Sequence, residues 1–498
     1  MGIVFRKSTK NLIITYIGLA IGYVNTLILY PYILTETEIG LIRLLIGVSF
    51  LFATFASLGS FSMPARFFFY FKDETNQHNG FLFFLIIWSL IGFTLFTAIF
   101  LSFRDLIVRI YITSSPLLIN YLYYFIPFTF IALFIGIFRA YIIIQKKPVL
   151  PIFINEVFFR IFIVAGLILF LSKVFNLNHL VKYIILSYGL GLVVLVFYTK
   201  SIKSLYLKPN ISIIKSKYFK ELLTFGGFML LGGAGSLMIS NIDGLMLSAY
   251  KGLKQTGIYT IAFFIATVVE VPKRALVQSV IPFVSESNKN EDFNKLDLIY
   301  KKSSINQLII GSLIFIGIWS NINNFFNLMP NGNLYLAGKW VVFYIGISKL
   351  FDLAMGVNAE IVGTSRYYKY NLVFMMGLGI LAIITNMIFI PRYGMTGAAL
   401  ASALSIFMIN IIMFSFLWIK MKIQPFSFGS IKVLGICFFV LVVNYSIPFT
   451  VNSIVDIAIR SIVIFVLFST LVLVTKSSDD INLVFEKLLI KIKLFLKI

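Results

Sequence analysis

Residues 25–45 read NTLILYPYILTETEIGLIRLL, and residues 241–261 read NIDGLMLSAYKGLKQTGIYTI. Each closes an apolar run, crosses a short polar turn and opens a second apolar run after a glycine. Tyr30 precedes Gly40 by ten residues and Leu247 precedes Gly257 by ten; the two glycines lie 217 residues apart in a chain of 498. A second pair of landmarks keeps nearly the same offset. Gln145-Lys146-Lys147 follows one long apolar run, and Gly363-Thr364-Ser365-Arg366 follows another. Two landmarks sharing one offset near half the length point to an internal repeat of a kind common in membrane transporters.

Composition sets the solvent. The chain is 59% hydrophobic and 17% aromatic, with 12% charged residues, about half the charged share of a soluble domain. It cannot cover a water-facing surface, so it reads as an integral membrane protein. Cys437 is the single cysteine, and His78 and His179 stand apart. An intrachain disulfide and a Cys- or His-based metal site are thereby excluded. No GxxxxGK[ST] phosphate loop occurs, which removes ATP hydrolysis by that route.

About 20 apolar residues span the ~30 Å hydrocarbon core as a helix. Fourteen such runs are legible. Six lie at 11–34, 40–62, 80–103, 117–144, 149–171 and 181–199. Six more lie at 222–249, 256–283, 304–326, 336–362, 369–390 and 396–418. The last two, 429–449 and 456–475, look appended. The expected fold is an all-α polytopic bundle of about fourteen transmembrane helices. Its expected parts are an N-terminal six-helix lobe at 1–200 and a cytoplasmic linker at 201–221. A C-terminal six-helix lobe at 222–420, a helix pair at 421–475 and a basic amphipathic tail at 476–498 follow. The tail starts at Ser478 with an apolar face of Ile481, Val484, Phe485, Leu488, Leu489, Ile492, Phe495 and Leu496. Its Lys487, Lys491, Lys493 and Lys497 suit an anionic inner-leaflet surface.

The net charge of +23 has a membrane explanation. An even number of spans puts both termini on one side. Arg6, Lys7 and Lys10 put that side in the cytoplasm, with Lys146, Lys147, the 200–220 lysines, Lys301, Lys302 and Arg366. Nucleic acid is not needed to account for it.

Charges at membrane depth are costly and so mark function or pairing. In the first half these are Arg43, Arg66, Arg139, Glu156 and Arg160. Glu156 and Arg160 have the spacing of a helical ion pair. In the second half they are Asp243, Glu270, Lys273, Arg274, Lys349, Asp352 and Glu360. Glu270 stands three and four residues before Lys273 and Arg274, and Lys349 three before Asp352, so pairing within each helix is expected. Asp243 has no cation within a turn, and a lone deep carboxylate suits a cavity. Pro272 removes a backbone hydrogen bond and is expected to kink the eighth span. The outer loops are short and poor in acids, Glu36, Glu38 and Asp105 excepted. A membrane glycan polymerase or glycosyltransferase, with its outer carboxylate site, is the least favoured class.

The Gly40 and Gly257 turns, the stretch Ser57-Leu58-Gly59 to Arg66-Phe67-Phe68, and above all Pro391-Arg392-Tyr393-Gly394-Met395-Thr396-Gly397-Ala398-Ala399 carry a resemblance. The chain resembles the multidrug/oligosaccharidyl-lipid/polysaccharide exporter superfamily, on its Wzx-like lipid-linked oligosaccharide flippase branch. The resemblance covers about 1–475. It implies two pseudo-symmetric six-helix lobes around a central cavity, and no enzymatic activity. It implies alternating-access transfer of an undecaprenyl-diphosphate-linked oligosaccharide across the inner membrane, for surface polysaccharide of the O-antigen or capsule type. It implies membrane lipid and other polysaccharide assembly proteins as partners. Arginine forks bind phosphate oxygens, so Arg43, Arg66, Arg139, Arg160, Lys273 and Arg274 become the candidates for the diphosphate or glycan. The drug exporters of the superfamily couple to H+ or Na+ through buried carboxylates, which makes Asp243, Glu270 and Asp352 the ion-coupling candidates, with no other cofactor. A cation-coupled multidrug exporter is the alternative reading.

Overall fold

The structure is a computed structural model. It describes residues 2–209, 213, 216–448, 450, 452–483, 485 and 486, without the side chains of 2–9, 12, 234, 236–240, 274, 275 and 278. Val484 and the tail lysines and apolar residues from 487 onward lie outside the described residues, as do Lys215 and the side chains of Arg6, Lys7 and Arg274.

All regular structure among the described residues is helical. The first unit spans Met1–Thr260. It opens with α1 (Gly2–Val24), which runs through a π-helical turn at Asn25–Leu29 into Tyr30–Ile33. Next come α2 (Glu36–Ala56), α3 (Met63–Phe71), α4 (Phe81–Ser102) and α5 (Phe125–Ile144). A second π-helical turn, Ile154–Phe158, leads into α6 (Phe159–Leu171), followed by α7 (Leu177–Ser201) and α8 (Phe219–Ala266). The second unit spans Ile261–Ile498. It takes the end of α8, then α9 (Val271–Lys289), α10 (Phe293–Leu328), α11 (Lys339–Ala354), α12 (Tyr368–Met421), α13 (Phe428–Tyr445) and α14 (Ser453–Val474).

Among the described residues, twelve helices are long and apolar enough to cross a membrane, which makes this a multi-pass membrane protein. The difference from fourteen runs lies in two long elements. α8 has 48 residues and α12 has 54, about 72 and 81 Å at 1.5 Å per residue, far beyond one ~30 Å crossing. Each turns back at a glycine with positive φ: Gly252 at 89° and Gly394 at 56°. That region is strained for any residue with a Cβ. Gly394 sits three residues after Pro391, so the Pro-x-x-Gly motif marks the turn. The second span ends at Ala56 rather than near residue 62, because Leu58 (φ 45°) and Gly59 (φ 84°) form a turn before α3.

Local chemistry explains Glu36, Glu38 and Asp105. Thr35 and Glu38 form a capping box at the start of α2, with Thr35 N donating to Glu38 Oε2 at 2.8 Å. Glu36 shares that first turn, where acids favour a helix start. Asp105 pairs with Arg104 on the surface at 3.0 Å.

In the second unit the core joins Leu308, Phe315 and Ile316 of α10 to Leu353 of α11, Val433 and Val440 of α13, and Ile464 and Phe468 of α14. The helix pair that looks appended in sequence is therefore seated on α10. Residues 479–483, 485 and 486 are helical, and Ile481 N donates to Ser478 Oγ at 3.4 Å. The start of that helix is tied to α10 by Lys302 Nζ–Asp480 Oδ1 at 2.8 Å and Asn306 Nδ2–Asp480 Oδ2 at 3.0 Å.

Candidate functional site

In the first unit the membrane charges gather around the two π-helical turns. Such turns shift the side-chain register and recur at functional positions. Asn25 opens the first, is buried, and donates through Nδ2 to the Arg160 carbonyl at 3.0 Å. Its Oδ1 has no hydrogen-bond partner among the described residues. Glu156 lies in the second turn. Arg160 Nη2 donates to Glu156 Oε2 at 3.2 Å, and its Nη1 donates to the Gly18 carbonyl. Gly18 and Gly22, one turn apart on α1, make room for this: a Cβ on Gly22 would meet Arg160 Nη1 at 2.8 Å. Small residues at that spacing let helices approach closely in lipid.

The group extends in both directions. Asn155 Nδ2 donates to Glu156 Oε1 at 2.9 Å, and Arg139 Nη1 donates to Asn155 Oδ1 at 3.4 Å. Arg139, unpaired on sequence grounds, thus joins Glu156 through an asparagine. On the other side, Tyr30 interacts electrostatically with both Arg160 and Arg43, and Arg43 with Tyr259. Tyr259 donates its hydroxyl to Asp243 Oδ2 at 2.6 Å. Arg139, Arg160, Arg43 and Asp243 are therefore members of one polar chain. Asp243, which has no cation within a turn in sequence, meets a phenol in the structure. It is 2% exposed, and the donor it lacks on its own helix face comes from beyond the Gly252 turn.

Arg66 has other partners. It pairs with Glu221 while half exposed, and its guanidinium lies 5.1 Å from the Phe225 ring and 5.4 Å from Phe67.

The repeated glycines explain how the quoted stretches meet. A Cβ on Gly40 would lie 3.2 Å from Gly257 N, and one on Gly257 would lie 2.7 Å from the Glu36 carbonyl carbon. The two echoes pack backbone to backbone, which holds Tyr259 beside Arg43.

In the second unit the charges pair across helices. Lys273 Nζ lies 2.5 Å from Asp352 Oδ2, and Lys349 Nζ lies 2.5 Å from Glu270 Oε2. The expected pairings of Glu270 with Lys273, and of Lys349 with Asp352, are replaced; the Arg274 side chain lies outside the described ones. Sequence shows only neighbours on one helix, whereas a 3₁₀ turn ending at Glu270 aims these side chains at α11. Pro272, at the start of α9, sits at this break as expected. Asn410 Nδ2 donates to Asp352 Oδ1 at 3.2 Å, and Asn358 Nδ2 to Asn410 Oδ1 at 2.7 Å. Glu360 interacts electrostatically with Lys273, and its Oε2 has no hydrogen-bond partner among the described residues. Among the described residues no His, Cys, Asp and Glu cluster has a metal-binding arrangement.

Sequence reasoning missed Asn25, Tyr30, Asn155, Tyr259, Asn358 and Asn410, the polar residues that surround the charges. It also missed Asp456 and Arg460 in α14. An asparagine inside an apolar run is a signal for the first group: Asn25 and Asn241 both open the repeated stretches.

Residues 4–288 match the family model described as polysaccharide biosynthesis protein. The chain belongs to the polysaccharide biosynthesis protein family. Solved structures share the fold of this family member at low identity. The lipid II flippase MurJ in an inward closed conformation is 15% identical with a TM-score of 0.72, over 93% of this chain and 98% of that one. An inward-facing multidrug resistance MATE transporter of the MOP superfamily is 15% identical with a TM-score of 0.61, over 82% and 94%. A MOP superfamily transporter from Pyrococcus furiosus, described as having a binding pocket of reverse polarity, is 14% identical with a TM-score of 0.57, over 83% and 95%. No curated protein sequence matches the chain significantly. The family member thus has the transporter fold expected from its motifs.

Proposed function

We propose that this protein is a flippase carrying an undecaprenyl-diphosphate-linked oligosaccharide across the inner membrane, by alternating access, for surface polysaccharide synthesis. Both termini face the cytoplasm in this reading. The observation that carries it is Arg160. Its guanidinium is held at membrane depth by Glu156 and the Gly18 carbonyl, within a group that includes Arg139 and Arg43. Cations are retained in an apolar bundle at a cost, and a diphosphate is the anion that forked arginine donors recognise best. The family match supports a glycan cargo, and the likeness to a lipid II flippase supports a lipid-linked one. O-antigen or capsule glycan is the proposed product, and other assembly proteins are the proposed partners.

A second reading, a cation-coupled multidrug exporter, is favoured by one observation. Asp243 is a buried carboxylate with a phenol donor, a group that H+ or Na+ would neutralise. In the flippase reading the same carboxylate, with Glu270 and Asp352, would couple transport to an ion gradient.

Arg160→Ala and Arg160→Lys, expressed in a deletion strain of the native host, test the first reading. Loss of the guanidinium should lower surface glycan about tenfold or more, the worth of one charge-assisted pair. Lysine should restore part of it. Normal glycan at normal protein level for the alanine variant would remove Arg160 from the cargo site.

A further inference from the structure

We propose that Glu270, Lys273, Lys349 and Asp352 form a partner-exchange switch inside the second unit. Two sets of ion pairs are available to the same four side chains. In the structure they pair across helices: Glu270 with Lys349 and Lys273 with Asp352, each at 2.5 Å. This ties the start of α9 and the turn before it to α11. The sequence supplies another set. Lys349 and Asp352 lie three apart on α11, within reach of each other, and Glu270 caps the start of α9 three residues before Lys273, the spacing at which a cap side chain and the first turn meet. The four charges alternate in sign around a closed circuit, so either set of opposite sides neutralises all of them.

The environment makes this alternation consequential. The four side chains are 15–25% exposed. A charge there cannot be left bare, and breaking one pair without a substitute is strongly unfavourable. Two helices tied by such pairs can part only if each charge keeps a partner, and the three-residue spacing provides it. The hinge is at the same place. The 3₁₀ turn Thr267–Glu270 interrupts the helix, and Pro272 stands at the first turn of α9 without an amide to bond backwards. The cross-helix set holds α9 on α11; the intrahelical set releases it. Asn410, donating to Asp352 and accepting from Asn358, keeps Asp352 solvated by an amide in either set. Glu360 faces Lys273 and remains a carboxylate neighbour in both. The device works for any cargo, so it stands apart from the flippase reading.

Charge reversal separates the two sets. Glu270→Lys with Lys349→Glu keeps an opposite pair across the helices. It also sets like charges three residues apart, a cation at position 270 before Lys273 and a carboxylate at position 349 before Asp352, so the intrahelical set is lost. Adding Lys273→Asp and Asp352→Lys restores both sets with all signs reversed. The measurement is the spin-label distance between positions 283 and 347, both exposed in the native chain. It uses full-length protein in lipid nanodiscs with Cys437→Ala. We expect two distance components in the parent, only the shorter in the double variant, and both again in the fourfold variant. The reciprocal double variant, Lys273→Asp with Asp352→Lys, should behave like the first and serves if the first does not fold. A single component in the parent, or two components retained in a folded double variant, would overturn the switch. No cargo enters the measurement, so its failure is distinct from failure of the proposed transport function.

Discussion

Asp456 and Arg460 are each 1% exposed, four residues apart on α14, and wholly enclosed by partners. Arg460 Nε donates to Asp456 Oδ2 at 2.7 Å, Nη1 to the Asn444 carbonyl at 2.9 Å and Nη2 to the Ile447 carbonyl at 2.8 Å. Asn324 from α10 donates to the same carboxylate at 2.5 Å. Arg460→Met would strand the carboxylate, at roughly 3–5 kcal/mol. Thermal unfolding in detergent should show a large loss of midpoint, most of it recovered by adding Asp456→Leu. The Asp243 end of the first-unit chain makes a functional prediction instead. Asp243→Asn should reduce transport that depends on an ion gradient, and a gradient dependence equal to the parent's would give this carboxylate a structural role. At this scale the sequence reading finds most of the charges that enter the membrane, Asp456 and Arg460 excepted, but not what they meet. Glu156–Arg160 is legible because both lie on one helical stretch. Tyr259 for Asp243, Asn155 for Arg139 and Lys349 for Glu270 come from other helices, so spacing carries no trace of them.

Among elements, the apolar runs and the Pro-x-x-Gly turn at Gly394 are the legible part; Gly40 and Gly257, read as turns, lie inside helices, and α8 turns at Gly252. A helix in lipid must satisfy its own backbone, so a run of about 20 apolar residues has one solution. The π-helical turns at Asn25–Leu29 and Ile154–Phe158 leave no such mark. They depend on what α1 and α6 must place opposite each other, not on local composition. The close approach of the repeated glycines gives a stability test. Gly257→Ala would drive a methyl into the Glu36 backbone and should cost about 1–3 kcal/mol as overpacking. Thermal unfolding of the purified variant reads this directly, and an unchanged midpoint would show that the echoes do not meet. The junction of Asp480 with α10 gives a pH test. The Lys302 ammonium, followed by the Asn306 amide, holds the Asp480 carboxyl below the ordinary carboxylate range. A carboxylate with a depressed folded-state pKa stabilises above its unfolded pKa of about 3.9. That contribution fades as pH falls through the folded value. A carbon-13 titration of Asp480 should therefore place its midpoint below the ordinary range, and Lys302→Met should bring it back up.

At the scale of the molecule, two partitions of the chain coexist. The repeat divides it into proposed lobes at 1–200 and 222–420. Compactness divides it between Thr260 and Ile261, inside α8. The physical reason is visible at Gly40 and Gly257: the second echo packs on the first, so residues up to 260 belong by contact with the N-terminal helices. Chain symmetry is legible in a sequence, whereas the place where a helix changes neighbours is not. The family match and the shared fold make this a multi-pass membrane protein of the polysaccharide biosynthesis protein family with a transporter-like fold, and the cargo is the central proposal. The most direct measurement deletes the gene in its native host and follows undecaprenyl-linked glycans by mass spectrometry alongside surface polysaccharide. The flippase account predicts full-length lipid-linked repeat units accumulating while surface glycan is lost. An unchanged lipid-linked pool and normal surface glycan, with raised sensitivity to cationic drugs, would contradict it and favour the exporter.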